Sequence, residues 1–129
     1  MDRHAATTST NARGTGARWE DAALAHLQAR GLSLVARNFN SRFGEIDLVL
    51  RDRATLVFAE VRFRGAKAHG DGTLSVGPAK RAKLARAAAV YLQAHPQFAA
   101  LPCRFDVIGC SGTLAAPRFD WTPAAFEAF

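Results

Sequence analysis

The sequence predicts one α/β domain in which a mixed sheet is flanked by helices. A helical pattern is followed by three strand-like segments, then by a second helical pattern and two further short strands. The 129 residues leave room for one hydrophobic core, and 49% of them are apolar. Residues 1–14 are polar and resemble a disordered tail, so residues 15–129 are expected to form the domain.

Two segments have the periodicity of amphipathic helices. The first is predicted over about 15–30 and ends at Gly31, and its buried stripe contains Ala23, Leu24 and Leu27. Glu20 falls in the same register, which points a carboxylate toward the core. The second is predicted over 78–94, because a proline suits the first turn and Pro96 prevents continuation; its buried stripe is Leu84, Ala85, Ala88 and Leu92.

The remaining segments are predicted as strands and turns. Strands are expected near 32–38, 45–50 and 55–63, and the short polar link 51–54 favours an antiparallel hairpin between the last two. The glycine-rich segment 64–77 is predicted to be a long loop. Further strands are expected over 104–110 and 116–121, and a terminal helix capped by Thr122 over 123–129.

The charge and composition favour a polyanionic partner and a cytoplasmic location. A net charge of +6 favours nucleic acid, although many basic proteins bind none. The longest apolar runs are too short to span a bilayer, and residues 1–14 lack the apolar stretch of a signal peptide, so no membrane partner is expected. Cys103 and Cys110 are seven residues apart in one predicted strand, which places them on opposite faces and disfavours a disulfide.

Carboxylates lie in the two strands of the predicted hairpin. Side chains alternate along a strand, so Glu45, Asp47 and Val49 share one face, and Glu60 shares the facing side of the next strand with Phe58 and Arg62. Asp47 and Glu60 therefore converge, and converging carboxylates repel unless a cation lies between them. Oxygen ligands favour Mg²⁺ or Mn²⁺. The alternative is a half-exposed strand whose acidic residues, Glu45 among them, are only solvated.

The motifs resemble a known family. Gly44-Glu45-Ile46-Asp47-Leu48 followed by Phe58-Ala59-Glu60-Val61-Arg62, with Glu20 and Asn38 before them and Cys103 to Val107 after them, is similar to the YraN-like family of uncharacterised bacterial proteins. That family is similar to archaeal Holliday junction resolvases and to the PD-(D/E)xK, restriction-endonuclease-like group. The resemblance covers about residues 16–121 and implies a three-layer core with a metal-dependent endonuclease activity on structured or branched DNA, rather than RNA.

The resemblance also implies roles for individual residues. Asp47 and Glu60 match the acidic residues of the nuclease motif, and Glu20 matches the helical glutamate of the resolvases; together they would hold Mg²⁺ or Mn²⁺. Arg62 stands where that motif prefers lysine. Arginine cannot act as a base, although it can contact the scissile phosphate. The alternatives are that Arg62 only pairs with Glu60 or Glu45, and that Glu20 is a capping or edge carboxylate.

Other residues have weaker assignments. Contacts with nucleic-acid phosphates are assigned to Arg64, Lys67, Lys80 and Lys83, against the alternative of a solvated basic surface. Asp106 is expected to be structural, paired with Arg104 or Arg62. Two other functions stay open: a non-catalytic nucleic-acid-binding module, which Arg62 favours, and a protein-interaction module. Because resolvases act as two-fold dimers, a homodimer is an expectation of the resemblance.

Overall fold

The computed structural model describes residues 11–65 and 76–127. In chain order its elements are α1 (Asn11–Ala29), β1 (Ser33–Ser41), β2 (Gly44–Asp52), β3 (Thr55–Gly65), α2 (Pro78–Ala94), a 3₁₀ turn (Pro96–Phe98), β4 (Cys103–Thr113) and β5 (Ala116–Phe126). The five strands form one sheet in the order β1-β2-β3-β4-β5. The β3–β4 pair is parallel and the other three pairs are antiparallel, so the sheet is mixed.

One helix packs on each face of the sheet. On the α1 face the helix buries Trp19, Ala23 and Leu27 against side chains of β2, β3 and β4. On the other face α2 buries a stripe against the same strands and β5; its buried members are Leu84, Ala87, Ala88 and Tyr91. The stripe predicted from sequence placed Ala85 and Leu92 in the core, where both are only half-buried. This arrangement confirms the predicted α/β fold, and its three layers are consistent with a restriction-endonuclease-like core.

Both helices end where local sequence signals indicate. Gly31 has a φ of 100°, and the amide N–H groups of Gly31 and Leu32 donate to the carbonyls of Gln28 and Leu27. This Schellman motif satisfies the last carbonyls of α1, because glycine adopts a positive φ without a steric penalty. The second helix has the predicted bounds. The first helix begins at Asn11, four residues before the predicted start.

The C-terminal helix predicted over 123–129 is wrong for the residues described. Strand β5 continues to Phe126, which pairs with Phe105 of β4 and stacks on its ring at 4.9 Å. Pro123 is compatible with this strand because β5 lies at the edge of the sheet, where a missing N–H removes no ladder bond. This segment is therefore extended in spite of the capping signal of Thr122.

Several predictions fall on parts of the chain outside the described residues. These are most of the N-terminal tail, the central part of the loop over 64–77, and Lys67 within it. The predicted β2–β3 hairpin is confirmed. Both cysteines are free, and they lie in the separate cores on either side of the sheet. Within residues 11–65 and 76–127, neither helix has the length and apolar character that crossing a membrane requires.

Candidate metal centre

Glu20, Glu45 and Asp47 meet at a point where the side chains of β2 stop alternating regularly between the two faces of the sheet. In the β1–β2 ladder Arg37 pairs with Leu48 and Phe39 pairs with Ile46, which leaves Asn38 and Asp47 outside the ladder. Asn38 has a φ of 52°, a conformation that asparagine adopts more easily than most residues. As a result Ile46 packs in the α2 core and Leu48 in the α1 core, although strict alternation would put both on one face.

At this break in the alternation of β2, three carboxylates from two elements come together. Glu20 of α1, with Glu45 and Asp47 of β2, each place one oxygen within 4.8 Å of the others. The side chain of Glu20 is only 18% exposed, and it lies beside the buried apolar residues of α1. The sequence prediction grouped Glu20 and Asp47 with Glu60, which is not a member of this 4.8 Å group.

Two residues of β1 hold the carboxylates in place. The side-chain amide of Asn38 donates to both oxygens of Glu20, at 3.1 and 3.2 Å, and to Glu45 at 2.8 Å. The guanidinium of Arg37 binds Glu20 at 3.2 Å and Asp21 at 2.7 Å, and these carboxylates raise the pKa of Arg37 although burial opposes the rise. Asn38 and Arg37 thus orient Glu20 before any ligand is bound, as supporting residues do in metal sites.

Asp47 lies at the point where β2 and β3 separate. The last pair of the ladder is Leu48 with Ala59, and beyond it the Val61 N–H donates to Asp47 Oδ2 at 2.8 Å. Burial raises the pKa of Asp47 to about 7; the Val61 hydrogen bond opposes this, and the charges of Glu60, Glu20 and Glu45 add to it. A shift of this kind at converging carboxylates is typical of functional sites.

Glu60 lies beside this group and forms part of a pocket. Its Oε2 accepts from Lys80 Nζ at 3.3 Å, so a lysine of α2 reaches the strand that carries the nuclease-like motif. The open pocket of about 340 Å³ is lined by Glu60, Val61, Arg62, Phe63, Gly77 and Lys80. Arg62 is exposed and Phe63 contacts the Trp19 ring at 4.8 Å. The pocket therefore combines an acid, two cations and a half-exposed aromatic ring.

The donor set fits a hard divalent cation. The three grouped carboxylates supply oxygen ligands alone, as Mg²⁺ and Mn²⁺ prefer. A cation among them would offset the burial of the Asp47 charge, which is the main cause of its raised pKa, and the repulsion from the neighbouring carboxylates, which adds to it. Glu20, Glu45 and Asp47 would hold such an ion, with Glu60 adjacent. This set keeps two of the three ligands predicted from sequence and adds Glu45.

The residues assigned to phosphate contacts have different surroundings. Lys80 pairs with Glu60, and Lys83 is exposed one turn further along α2. Arg64, at the end of β3, is only 15% exposed at its side chain and lies 3.5 Å from Asp120 of β5. Arg64 is therefore poorly placed for a nucleic-acid strand, whereas the two lysines are accessible.

Two residues of the centre belong to the motifs found in the sequence, but their roles at the centre were not predicted. The sequence places Glu45 on the same face of β2 as Asp47, with a solvated edge residue as the alternative, and it predicts no ligand role for Glu45, which the structure groups with Glu20 and Asp47. Asn38 gave no signal in the strand pattern, because its role depends on a positive φ and on α1 packing above it. The positions of Glu45 and Asn38 next to Glu20 depend on how α1 packs on the sheet, which local sequence patterns do not predict.

Comparison with known proteins identifies the family. The model of the "Uncharacterised protein family UPF0102" matches residues 19–110. A UPF0102 protein of Xanthomonas campestris pv. campestris is 52% identical over 112 residues, covering 87% of this chain and 90% of the relative. Similar UPF0102 proteins of Nitrosococcus oceani and Paracidovorax citrulli are 46% and 47% identical, and the alignments cover 89% and 95% of this chain and 93% and 90% of the relatives. The chain therefore belongs to the UPF0102 family, the YraN-like family that its motifs resemble.

Proposed function

We propose that this protein is a Mg²⁺- or Mn²⁺-dependent endonuclease-like phosphodiesterase that acts on structured or branched DNA in the cytoplasm. The observation that carries the proposal is the group of three carboxylates within 4.8 Å beside Glu60, on a chain of net charge +6. Acidic groups repel a nucleic acid, so a basic protein that concentrates them at one point gains from a cation there. DNA, with its dense phosphate charge, is the matching partner.

The metal would lower the pKa of a bound water and neutralise charge on the scissile phosphate. Glu20, Glu45 and Asp47 would hold the metal through their carboxylate oxygens, and Asn38 donates to both Glu20 and Glu45, which keeps these two side chains together. Glu60 lines the neighbouring pocket, where its carboxylate pairs with Lys80. Arg62 lines that pocket and stabilises charge on the phosphate, since its guanidinium stays protonated.

Lys80 supplies the proton-transfer group that Arg62 cannot provide. An arginine cannot transfer a proton, whereas a lysine ammonium can orient a water or give a proton to a leaving oxygen. Lys80 Nζ lies 3.3 Å from Glu60 and lines the same pocket as Arg62, although it comes from α2 and not from the strand. We therefore assign to Lys80 the role that the nuclease motif gives to a lysine two residues after the glutamate.

The test is cleavage of a labelled four-way DNA junction beside a linear duplex, with Mn²⁺ and with chelator, by the wild-type protein and Glu60→Ala. We expect Mn²⁺-dependent cutting of the junction that disappears in the variant. Gel-shift binding of the same junction controls for lost affinity. Cutting that persists in chelator, or in Glu60→Ala, would remove the catalytic role of this centre.

Lys80→Met is expected to slow cutting by about 10²-fold or more, because proton transfer by a positioned group contributes at least that much. Lys83→Met is the matched control: it removes the same charge one turn along α2, away from Glu60. Single-turnover rates at saturating protein separate chemistry from binding. If the two variants cut at equal rates, Lys80 has no role beyond general attraction of DNA.

A second candidate function is a non-catalytic DNA-binding module with the same fold. Arg62 at the lysine position favours it, and so does the ion pair that already engages Glu60 with Lys80. This candidate predicts junction binding without cutting, unchanged by Glu60→Ala. A homodimer that engages two symmetric strands is compatible with either function, and sedimentation of the protein with and without junction tests it.

A further inference from the structure

Two arginines from separate elements converge on one aromatic ring at the edge of the α2 face. Arg42 and Phe43 form the two-residue turn between β1 and β2, and Arg86 lies on α2. The guanidinium carbons of Arg42 and Arg86 lie 5.0 and 5.7 Å from the centre of the Phe43 ring. A cation over an aromatic face is attracted to it, so the Phe43 ring holds both positive charges near the β1–β2 turn.

The turn that presents Phe43 is braced. Ser41 Oγ donates to the Gly44 carbonyl at 3.0 Å and accepts from the Phe43 N–H at 3.1 Å. Gly44 has a φ of 144°, which other residues rarely adopt. The backbone that presents the Phe43 ring is therefore held in a defined conformation, which lowers the entropic cost of ordering the turn when a ligand binds.

The charges of this pair are not neutralised within the described part of the chain, where neither Arg42 nor Arg86 forms an ion pair with a carboxylate. A guanidinium stacked by its face keeps its N–H donors directed outward in its own plane, in the fork that matches a phosphate. Lys83 precedes Arg86 by three residues and is its neighbour on the helix surface. A line of cations thus leads from Lys80 beside Glu60, through Lys83, to Arg86 and Arg42.

We infer that Arg42, Phe43 and Arg86 form a phosphate-backbone site for the DNA strand that enters the carboxylate centre; we name Lys80, Lys83, Arg86 and Arg42 the basic track. This inference rests on the proposed function and adds where the strand runs. Lys80 and Arg86 are six residues apart, about 9 Å along the helix axis. The Arg42–Arg86 pair therefore contacts phosphates further along the strand than the one at Glu60.

The chain offers a matched control for the track. Arg81 is exposed on the same helix, but it lies two residues before Lys83, which places it about 200° around the axis on another side. Replacing it removes the same charge from the same element. A difference between Arg81→Ala and Arg86→Ala therefore reports position and not net charge.

The experiment measures the affinity for a fluorescent junction by anisotropy, in chelator, from 50 to 300 mM salt. Arg42→Ala and Arg86→Ala are each expected to weaken binding about 5- to 10-fold at low salt and to reduce the salt slope by about 1. Phe43→Leu keeps both charges and is expected to weaken binding about 2- to 5-fold with an unchanged slope. Arg81→Ala is expected to change affinity less than 2-fold. Urea midpoints check that each variant is folded.

The outcomes separate the inference from the function on which it rests. Wild-type protein that binds no DNA either in chelator or in Mn²⁺ overturns both the proposed function and the basic track. Wild-type protein that binds while Arg42→Ala and Arg86→Ala keep its affinity and slope overturns the track alone. Equal losses in Arg81→Ala and Arg86→Ala also overturn it, because the effect would then be one of net charge.

Discussion

Asp47→Asn is expected to stabilise the metal-free protein by about 1–3 kcal/mol at pH 8 while reducing metal-dependent cutting at least ~10³-fold. The stabilisation arises because Asp47 is half-buried within a group of carboxylates, where its charge is unfavourable. Asparagine keeps an oxygen that can accept the Val61 N–H, and its amide can donate to a neighbouring carboxylate. A functional group held at a cost to stability is common in enzymes.

The raised pKa of Asp47 determines whether the free energy of unfolding rises or falls with pH. The pKa of Asp47 is about 7 in the folded protein, and the ordinary value is 3.8. Between these values the folded state binds a proton that the unfolded state has lost, so the free energy of unfolding falls as pH rises from about 4 to 7 and is level above that. In Asp47→Asn this contribution disappears, and the advantage of the variant shrinks toward pH 4.

Urea unfolding at pH 5 and pH 8, with chelator and with excess Mn²⁺, measures all these effects. Wild-type protein should gain stability from Mn²⁺ as the ligand binds the folded state alone, and Asp47→Asn should gain little. Asp21→Asn is the control: Asp21 is 63% exposed and binds Arg37 outside the carboxylate group, so a change within about 0.5 kcal/mol is expected. A variant less stable than wild type in chelator at pH 8, or an equal Mn²⁺ gain, would contradict this account.

The elements of the fold were largely predictable because their signals are local. Gly31 and Pro96 mark helix ends, and apolar periodicity marks the strands. The site was predictable only in part, because alternation was assumed to continue through Asp47. At the paired irregularity of Asn38 and Asp47 the alternation along β2 is broken, so that Ile46 packs in the α2 core and Leu48 in the α1 core. Such departures from local rules are expected where function is concentrated.

At the C-terminal segment a clear local signal predicted the wrong element. Thr122 and Pro123 are favourable residues for starting a helix, yet strand β5 continues through them. The reason lies in Asp106, a residue far away in sequence that was predicted to be structural and to pair with Arg104 or Arg62. Arg104 does bind it, through Nε at 2.9 Å and Nη2 at 3.2 Å. Tertiary hydrogen bonds to this carboxylate override the local preference for a helix.

Asp106→Ala is expected to destabilise the protein by about 3–5 kcal/mol, because removing one partner of a buried ionic network leaves the others unpaired. Asp106 is 1% exposed. Besides Arg104, its carboxylate accepts from Trp121 Nε1 at 3.0 Å and from the Ala124 N–H at 2.9 Å. Arg104 in turn binds Asp52 at 3.0 Å, so the network joins β2, β4 and β5.

The position of Asp106 explains why Asp106→Ala should lower stability strongly and should loosen the edge strand β5 in particular. The β4–β5 register shifts between Phe105 and Val107, and Ala124 has a φ of 51°. The Asp106 carboxylate satisfies the Ala124 N–H at this irregularity. Without it, the strand beyond Trp121 has an unsatisfied donor and a strained residue, and Phe126 loses the anchor that brings it to Phe105.

Urea midpoints and amide hydrogen exchange test this prediction, with Asp120→Ala as the matched control. Asp120 lies on the neighbouring strand β5. Its side chain is 66% exposed, and its 3.5 Å contact with Arg64 should contribute less than about 1 kcal/mol. Asp106→Ala should also speed exchange at Ala124 and Phe126 before global unfolding. Equal midpoints for the two variants would mean that apolar packing of Phe126 alone holds β5. In that case the edge strand would not depend on the buried carboxylate, and the sequence rule for the terminal helix would have failed for another reason.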